Sequence, residues 1–448
     1  MRRPAPDERP VALTVAGSDS GGGAGIQADL KTMDAHGVFG TSAITAATAQ
    51  NTTGVQGTHV LPVEQIDAQI DAVVEDFDVG AIKTGMLATA PVIDLVAEQV
   101  AASDAPAVVD PVMVASSGDR LLDADAEDAY EDLIARSRLV TPNADEAEVL
   151  TGRPLETVAD ARAAGEALVE LGADAALVKG GHLDADARED AVVDLLVTEE
   201  SAERFEHPRI DTDATHGSGC TLSSAVAARL ARGESLRDAV AEGVSFMERA
   251  VRYHYDVGEG PGAVNHGVAR SERADRAATA EAIEEVLDRL VDSGAHALAE
   301  EGGLQIVGAT PYAERPSEVA GVEGGVGGTR RGLRANRGVR FGVADDEATV
   351  LLGVREIDPA TRFAATVRSP RAVAAVDDLD WERAIYRAPD GSAARSASDA
   401  VETAVDDADG TPTALLEERT RSVTVLAERS SELAERTLAL ADELDRTD

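Results

Sequence analysis

Lysine is nearly absent from this chain. Its 448 residues hold three, Lys31, Lys83 and Lys179; arginine supplies the other permanent positive charges. A composition that discards lysine almost everywhere retains it where an ammonium point charge is needed. Cysteine is rarer still. Cys220 stands alone, which excludes an internal disulfide and fits a reducing, cytoplasmic compartment. No apolar run approaches the ~18–20 residues of a membrane span. The polar opening from Met1 to Arg9 has no apolar stretch behind it that would make a signal peptide. No membrane partner is expected.

Positive charge is scarce overall. Lysine and arginine total 41 against 83 aspartates and glutamates, a formal charge of -42. Long periodic apolar segments argue against reading that charge as disorder. A uniformly acidic surface repels phosphate, so nucleic acid is a poor partner. Adaptation to high salt accounts for the charge better. At 1 M the Debye length falls to ~3 Å and self-repulsion is largely screened. The length allows two or three domains.

The first part alternates strand and helix. Val11 to Ala16 reads as a buried strand that breaks at Gly17. A glycine loop to Gly25 follows, then a helix from about Ile26 to Ala35. That loop matches the dinucleotide fingerprint poorly and lacks the Gly-Lys-Ser/Thr ending of a P-loop. It more simply lets backbone approach a ligand, with Asp29 one helical turn beyond. Further strands are predicted at Thr41–Gln50, Gly80–Met86, Ala105–Val112, from Leu139 and from Ala175. Amphipathic helices are predicted near Val63–Phe77, Ala90–Ala101, Ala124–Ser137 and Val158–Leu171. Repeated strand–helix units imply an α/β fold with a largely parallel sheet and helices on both faces. Ligands bind such sheets at the carboxyl ends of the strands. The loops there hold Asp19, Gln50, Lys83, Met86, Asp110, Asn143, Glu146, Lys179 and His182. Several of these types also serve as plain caps and turn formers.

One stretch organises the rest: Asp211 to Ser224, with Gly217 and Gly219 just ahead of a predicted helix, Cys220 to Arg232, that Gly233 can cap. A glycine turn at a helix start aims several backbone N–H groups at one spot, and the helix dipole adds positive charge there. Such a corner can hold the charge that builds on a transferring phosphoryl group. The same pattern also suits a turn before a core helix, with Cys220 a small buried hydrophobe.

These residues carry a resemblance. Ala16–Lys31, Ala49–Thr52, Lys83–Leu87, Asp110–Met113, Thr141–Asn143, Lys179–His182 and Thr215–Cys220 resemble, in order, the motifs of hydroxymethylpyrimidine/phosphomethylpyrimidine kinases of thiamine biosynthesis. The resemblance covers about residues 9 to 266. It implies the ribokinase-like fold, ATP and Mg²⁺ as cofactors, and phosphorylation of a pyrimidine alcohol and then its monophosphate. It implies that Gly17, Asp29, Gln50 and Met86 line the pyrimidine pocket. Asp110, Asn143, Glu146 and Lys179 would serve the nucleotide, with Glu146 on the metal. Gly217, Ser218 and Gly219 would form the anion hole with Cys220, which stands where sugar kinases of this fold carry an aspartate base. A thiol titrates near ~8.5 and lower at a helix N-terminus, so Cys220 is a chemically reasonable base. A homo-oligomer is usual in the family.

The chain thus divides into residues 1–266, a polar linker at 267–275, and a second, smaller α/β domain at 276–448. A helix is predicted from Ala277 to about Leu290, and strands at Leu304–Val307, Val339–Val343 and Ala348–Val354. Arginines gather between Arg330 and Arg340. In so acidic a chain they suggest an anionic ligand such as a phosphate ester, with Arg331, Arg337 and Arg340 as candidates. Balance of nearby carboxylates explains them as well. This half resembles the thiamine-phosphate synthase domain often fused behind the kinase, through Glu281–Leu287, Arg337–Gly342 and Glu356–Ala365. It departs after Phe341-Gly342, where that family carries a histidine and this chain reads Val343-Ala-Asp-Asp-Glu-Ala348. The departure implies a domain that binds a phosphate-bearing ligand without synthase chemistry. A fully bifunctional enzyme and a non-catalytic sensor are the alternatives. Ser392–Gly410 reads as a mobile connector. Leu426, Leu433 and Leu440 repeat every seven residues, as in a short coiled coil or docking helix.

Overall fold

The computed structural model describes residues 7–114, 121–123, 126–180, 191–299, 302–329, 332–388, 394–408 and 411–446. Two compact units divide at Arg270/Ser271.

The first unit is built on an eight-stranded sheet. In chain order its elements are β1 (Val11–Ala16), α1 (Gly25–Ala35), β2 (Phe39–Ile44), β3 (Ala46–Asn51), β4 (Gly54–Val60), α2 (Val63–Val74), β5 (Val79–Thr84), α3 (Ala90–Ala102) and β6 (Ala107–Val109). Then come α4 (Tyr130–Ile134), β7 (Leu139–Val140), α5 (Ala144–Thr151), α6 (Val158–Glu170), β8 (Ala175–Val178), β9 (Ala191–Thr198), β10 (Ala202–Pro208), α7 (Ser218–Ala231) and α8 (Leu236–Arg252). The sheet order is β10-β9-β8-β7-β6-β5-β1-β2. From β2 to β8 every neighbour is parallel; β9 and β10 return antiparallel. Val/Ala/Leu runs buried on both faces make this possible: Leu13, Val15, Ile82, Val109 and Val140 lie in one core, and the alternate residues Ala12, Ala81, Val108 and Leu139 are buried as well.

The predicted strand Thr41–Gln50 is two strands. At Thr45 the chain leaves the main sheet. The Thr45 N–H donates to the Ala16 carbonyl and its hydroxyl to that of Met86. Beyond it β3 pairs only with β4, as a two-stranded ribbon carrying Gln50. The predicted helix Ala124–Ser137 is described only as the short α4. The helix of the glycine-rich stretch begins two residues early, at Ser218, with Gly217 in the left-handed region at φ 81°. Gly233, at φ 80°, follows its end as expected. Two capping boxes set helix starts, Asn143/Glu146 on α5 and Thr157/Asp160 on α6, each worth ~1 kcal/mol.

The second unit begins in α9 (Val268–Ser293), so the stretch predicted as a linker is mostly helical. Its strands are β11 (Leu304–Ala309), β12 (Val319–Val322), β13 (Val326–Thr329), β14 (Gly332–Ala335), β15 (Val339–Phe341), β16 (Phe363–Arg368), β17 (Arg383–Tyr386), β18 (Ala414–Glu417) and β19 (Ser422–Ala427). They form one mostly antiparallel sheet. Helices α10 (Asp345–Ile357), α11 (Pro370–Ala375), α12 (Ala394–Asp406) and α13 (Ser430–Arg446) complete it. Ile306 belongs to one core and its neighbour Val307 to another, as strand alternation requires.

Three expectations fail here. Ala348–Val354 is helical, inside α10. Its buried Ala348, Leu351, Leu352 and Arg355 follow helical spacing, and Asp345–Glu347 supply an acidic first turn. The stretch predicted as a mobile connector contains α12. The leucine heptad is not a stripe. Leu426 lies in β19, while Leu433 and Leu440 are buried in the unit's own core.

Candidate functional site

Parallel strands put their carboxyl ends at one edge, and the loops that follow converge on a cavity of about 780 Å³. Gly17 follows β1, Met86 β5, Asp110 β6, Asn143 β7 and Lys179 β8. All of these line the cavity, with Gln50, Glu146 and the whole run Gly217 to Cys220.

The two glycine loops differ in what their amides do. In the first, the Asp19 carboxylate accepts from the N–H groups of Gly21 at 2.8 Å, Gly23 at 2.9 Å and Ala24 at 2.8 Å. That corner already holds an anion. In the second, Gly217 carries no side-chain cap, and the amides of Gly219 and Cys220 have no hydrogen-bond partner among the described residues. These open α7 toward the cavity, at the positive end of its dipole. Lys179 Nζ lies 3.2 Å, and Asp110 Oδ2 3.5 Å, from where a Cβ of residue 219 would sit. Backbone donors, an ammonium and a carboxylate thus meet at one point.

Lys179 Nζ is 3.2 Å from Asp110 Oδ1 and 3.9 Å from Glu146 Oε2. Burial alone would lower the Lys179 pKa, but the two carboxylates hold it above its ordinary value. Glu146 caps α5 by accepting from the Asn143 N–H at 2.9 Å. Burial pushes its carboxyl up to about 7, Lys179 opposes that, and Asp110 adds to it.

Asp29 is a correction. It is fully buried and absent from the cavity wall. Thr14 Oγ1 donates to it at 2.6 Å, Ser224 Oγ at 2.7 Å, and Lys83 Nζ reaches both its oxygens at 2.9 and 3.0 Å. It sits on the same face of α1 as buried Ile26 and Met33, three and four residues away. With its acceptors engaged it ties β1, α1, β5 and α7 together and cannot read a pyrimidine edge.

The electrostatics of Cys220 are a second correction. Burial pushes its thiol up to about 11; Lys83 opposes this, and Asp29 and Asp110 reinforce it. The Gly25 N–H also lowers its pKa, and burial outweighs both lowering influences.

All three lysines touch this region. Lys31 Nζ donates to the Gly22 carbonyl at 2.6 Å, Lys83 pairs with Asp29 and Lys179 with Asp110. The retention of lysine was therefore a usable signal. Three further cavity residues were not singled out from the sequence: His216, although it stands within Thr215–Cys220, and Asp194 and His207 on β9 and β10. Those two line the cavity 3.6 Å apart. His182 lies outside the described residues.

In the second unit two of the arginine candidates share one carboxylate. Arg337 and Arg340 both reach Glu323, at 2.6 and 3.4 Å. They balance a carboxylate, the alternative weighed from the sequence. Arg331 lies outside the described residues.

The phosphomethylpyrimidine kinase profile matches residues 19–265, more than half of the chain. This chain belongs to that family. A second profile, thiamine-phosphate synthase ThiN, matches residues 282–438 of this kinase-family chain. The hydroxymethylpyrimidine/phosphomethylpyrimidine kinase of Streptomyces coelicolor is 49% identical over 264 residues, covering 59% of this chain and 96% of that protein. Its counterpart in Bacillus subtilis is 47% identical over 257 residues, covering 57% and 94%. Pyridoxal kinase from Staphylococcus aureus, solved with AMP-PCP and pyridoxal, superimposes with a TM-score of 0.54 at 32% identity. That match covers 58% of this chain and 94% of that one. The kinase unit has the ribokinase-like fold.

Proposed function

We propose that the first unit transfers the γ-phosphoryl group of ATP to 4-amino-5-hydroxymethyl-2-methylpyrimidine and then to its monophosphate, in thiamine biosynthesis. One observation carries this reading: the unpartnered amides of Gly219 and Cys220 beside Lys179 and Asp110. Phosphoryl transfer needs charge stabilisation and alignment more than covalent chemistry. Gln50 and Met86, on the ribbon and after β5, flank the place for the pyrimidine. The Gln50 side-chain oxygen lies 3.3 Å from the Thr48 hydroxyl, whose proton goes to the Ser18 carbonyl at 2.7 Å; the Gln50 NH₂ has no partner among the described residues and would donate to a ring nitrogen. Cys220 is the base for the hydroxymethyl proton.

Among the described residues no three His, Cys, Asp or Glu side chains cluster to cage a metal. Magnesium in a nucleotide site needs only one or two carboxylates, with water and phosphate oxygens completing its shell. Asp110 and Glu146 fit that demand and would hold it. When bound, it neutralises charge on the β- and γ-phosphates. Lys179 then holds the phosphate side while α7 receives the moving group.

For the second unit we infer binding of a phosphate-bearing thiamine-pathway ligand rather than synthesis. Asp345, Asp346 and Glu347 open α10, and carboxylates there would repel an incoming pyrophosphate. The whole protein is expected to work as a homo-oligomer.

The test is a coupled ADP-release assay on the full chain in molar KCl, with the pyrimidine alcohol as acceptor. Alcohol-dependent ADP release and a phosphorylated pyrimidine are expected. Release no faster than without alcohol would sink the kinase reading.

A further inference from the structure

Asp19 has no assigned role, yet it is the most heavily engaged carboxylate at the cavity. It is buried and its two oxygens receive four N–H donors. Three are the amides of Gly21, Gly23 and Ala24; the fourth is His216 Nε2, at 3.1 Å. His216 immediately precedes the left-handed Gly217 that starts α7. A Cβ on Gly217 would stand 1.9 Å from the Gly23 carbonyl oxygen, and one on Gly23 would stand 2.6 Å from the His216 ring. The two glycine loops therefore touch without side chains between them. A third segment backs the contact: His266 Nε2 donates to the Gly23 carbonyl at 3.0 Å, and the Val264 N–H to the His216 carbonyl at 3.3 Å.

We propose that Asp19 is a positioning residue of the transfer step: its carboxylate fills the amide corner of the first loop and, through His216, sets the second loop so that the Gly219 and Cys220 amides face the transferred phosphoryl group. This rests on the kinase reading above. Oδ2 takes three of the four donors and Oδ1 the fourth, so one acceptor position at most is left for substrate. It acts by alignment. Burial opposes its charge, but the hydrogen bonds from His216, Ala24 and Gly21 hold its carboxyl below the usual range, so it is ionised throughout the working pH. Its negative charge has a second consequence. The first loop cannot serve as a competing phosphate site, and the phosphate goes to α7.

Asp19→Ala is compared with the wild-type full chain in molar KCl. A misplacement of the loop by ~1 Å lowers kcat by ~10²-fold, and KM for ATP and for the pyrimidine should stay within about threefold, because groups acting only in the transition state change kcat. Added formate supplies a carboxylate to the emptied corner and should restore kcat by at least ~10-fold. It should leave the wild type unchanged. Asp19→Asn, which keeps one carbonyl acceptor, should fall between. A variant kcat within threefold of wild type, or a loss that formate does not relieve, overturns the proposal. Should Asp19→Ala not fold, His216→Ala decides: it cuts the link and leaves the first loop's amides filled. A kcat drop of at least ~5-fold with KM unchanged supports the proposal, and an unchanged kcat overturns it. A wild-type chain that phosphorylates no pyrimidine sinks the kinase reading itself, a separate outcome.

Discussion

Cys220 enters the cavity from the third residue of α7, above the buried Lys83–Asp29 pair. With its thiol pushed up to about 11, only on the order of one molecule in 10⁴ carries a thiolate at pH 7. A base must first lose its proton, so the deprotonated fraction grows tenfold with each pH unit below 11. The single-turnover rate of transfer is therefore expected to climb from pH 7 to pH 10. Cys220→Ala should lower that rate by at least ~10²-fold and flatten the climb, as loss of a general base does, with ATP affinity unchanged. A rate near wild type in the variant would return Cys220 to packing. Asp29 teaches the complementary lesson. Its place after the glycine loop marked it for the pocket, but nothing in the order of residues says which face of α1 meets Lys83.

At the scale of elements, the start of α7 carries the chemistry. Gly217 combines φ 81° with the Gly23 carbonyl 1.9 Å from a Cβ. Gly217→Ala is expected to cost ~1–3 kcal/mol in backbone strain alone. It should also lower turnover at least ~10-fold by shifting the amide corner. Gly152 is the control. Its φ is 64° but nothing lies within 4 Å of a Cβ. Gly152→Ala should cost ~1 kcal/mol, seen as a small drop in Tm, and leave turnover alone. Equal losses of turnover in the two variants would contradict a special role for the Gly23–Gly217 contact. The ribbon β3–β4 was hidden in what read as one strand, because a run of small and β-branched residues does not reveal where pairing changes partner. The break at Thr45 depends on carbonyls of Ala16, at the end of β1, and of Met86, in the loop after β5.

For the whole molecule, charge is the dominant fact. A formal -42 spread over one chain repels itself. Tm is expected to fall as KCl is lowered from molar to ~0.1 M, where the screening length reaches ~10 Å. A Tm that stays flat or rises on dilution would contradict adaptation to salt. The second unit gives the other large-scale prediction. Supplied with the pyrimidine alcohol, ATP and thiazole phosphate in high salt, the full chain should make the pyrimidine pyrophosphate but no thiamine phosphate above the enzyme-free rate. Appearance of thiamine phosphate would overturn the binding-only reading of that unit. Calorimetry with thiamine phosphate should show binding, and no heat at millimolar ligand would leave it a structural domain. Arg337→Ala and Arg340→Ala should leave that heat unchanged, since both side chains already serve Glu323.

What the sequence determined by itself was local and periodic. Apolar runs set the strand–helix alternation, and parallel strands dictate that the loops after them share one edge. Gly217 and Gly219 ahead of a helix marked the amide corner, and three surviving lysines marked the ground around it. Tertiary structure decided which groups remain available. Only the fold shows that Asp19 has filled the first loop's amides while those of Gly219 and Cys220 stay open. The same holds for Asp29, taken by Lys83, Thr14 and Ser224, and for Arg337 and Arg340, which share Glu323. The physical reason is the same in each case. A hydrogen bond or ion pair, whether local as between Asp19 and Gly21 or distant as between Asp29 and Ser224, depends on geometry, and residue type alone says what a group can do, never whether a neighbour has already claimed it.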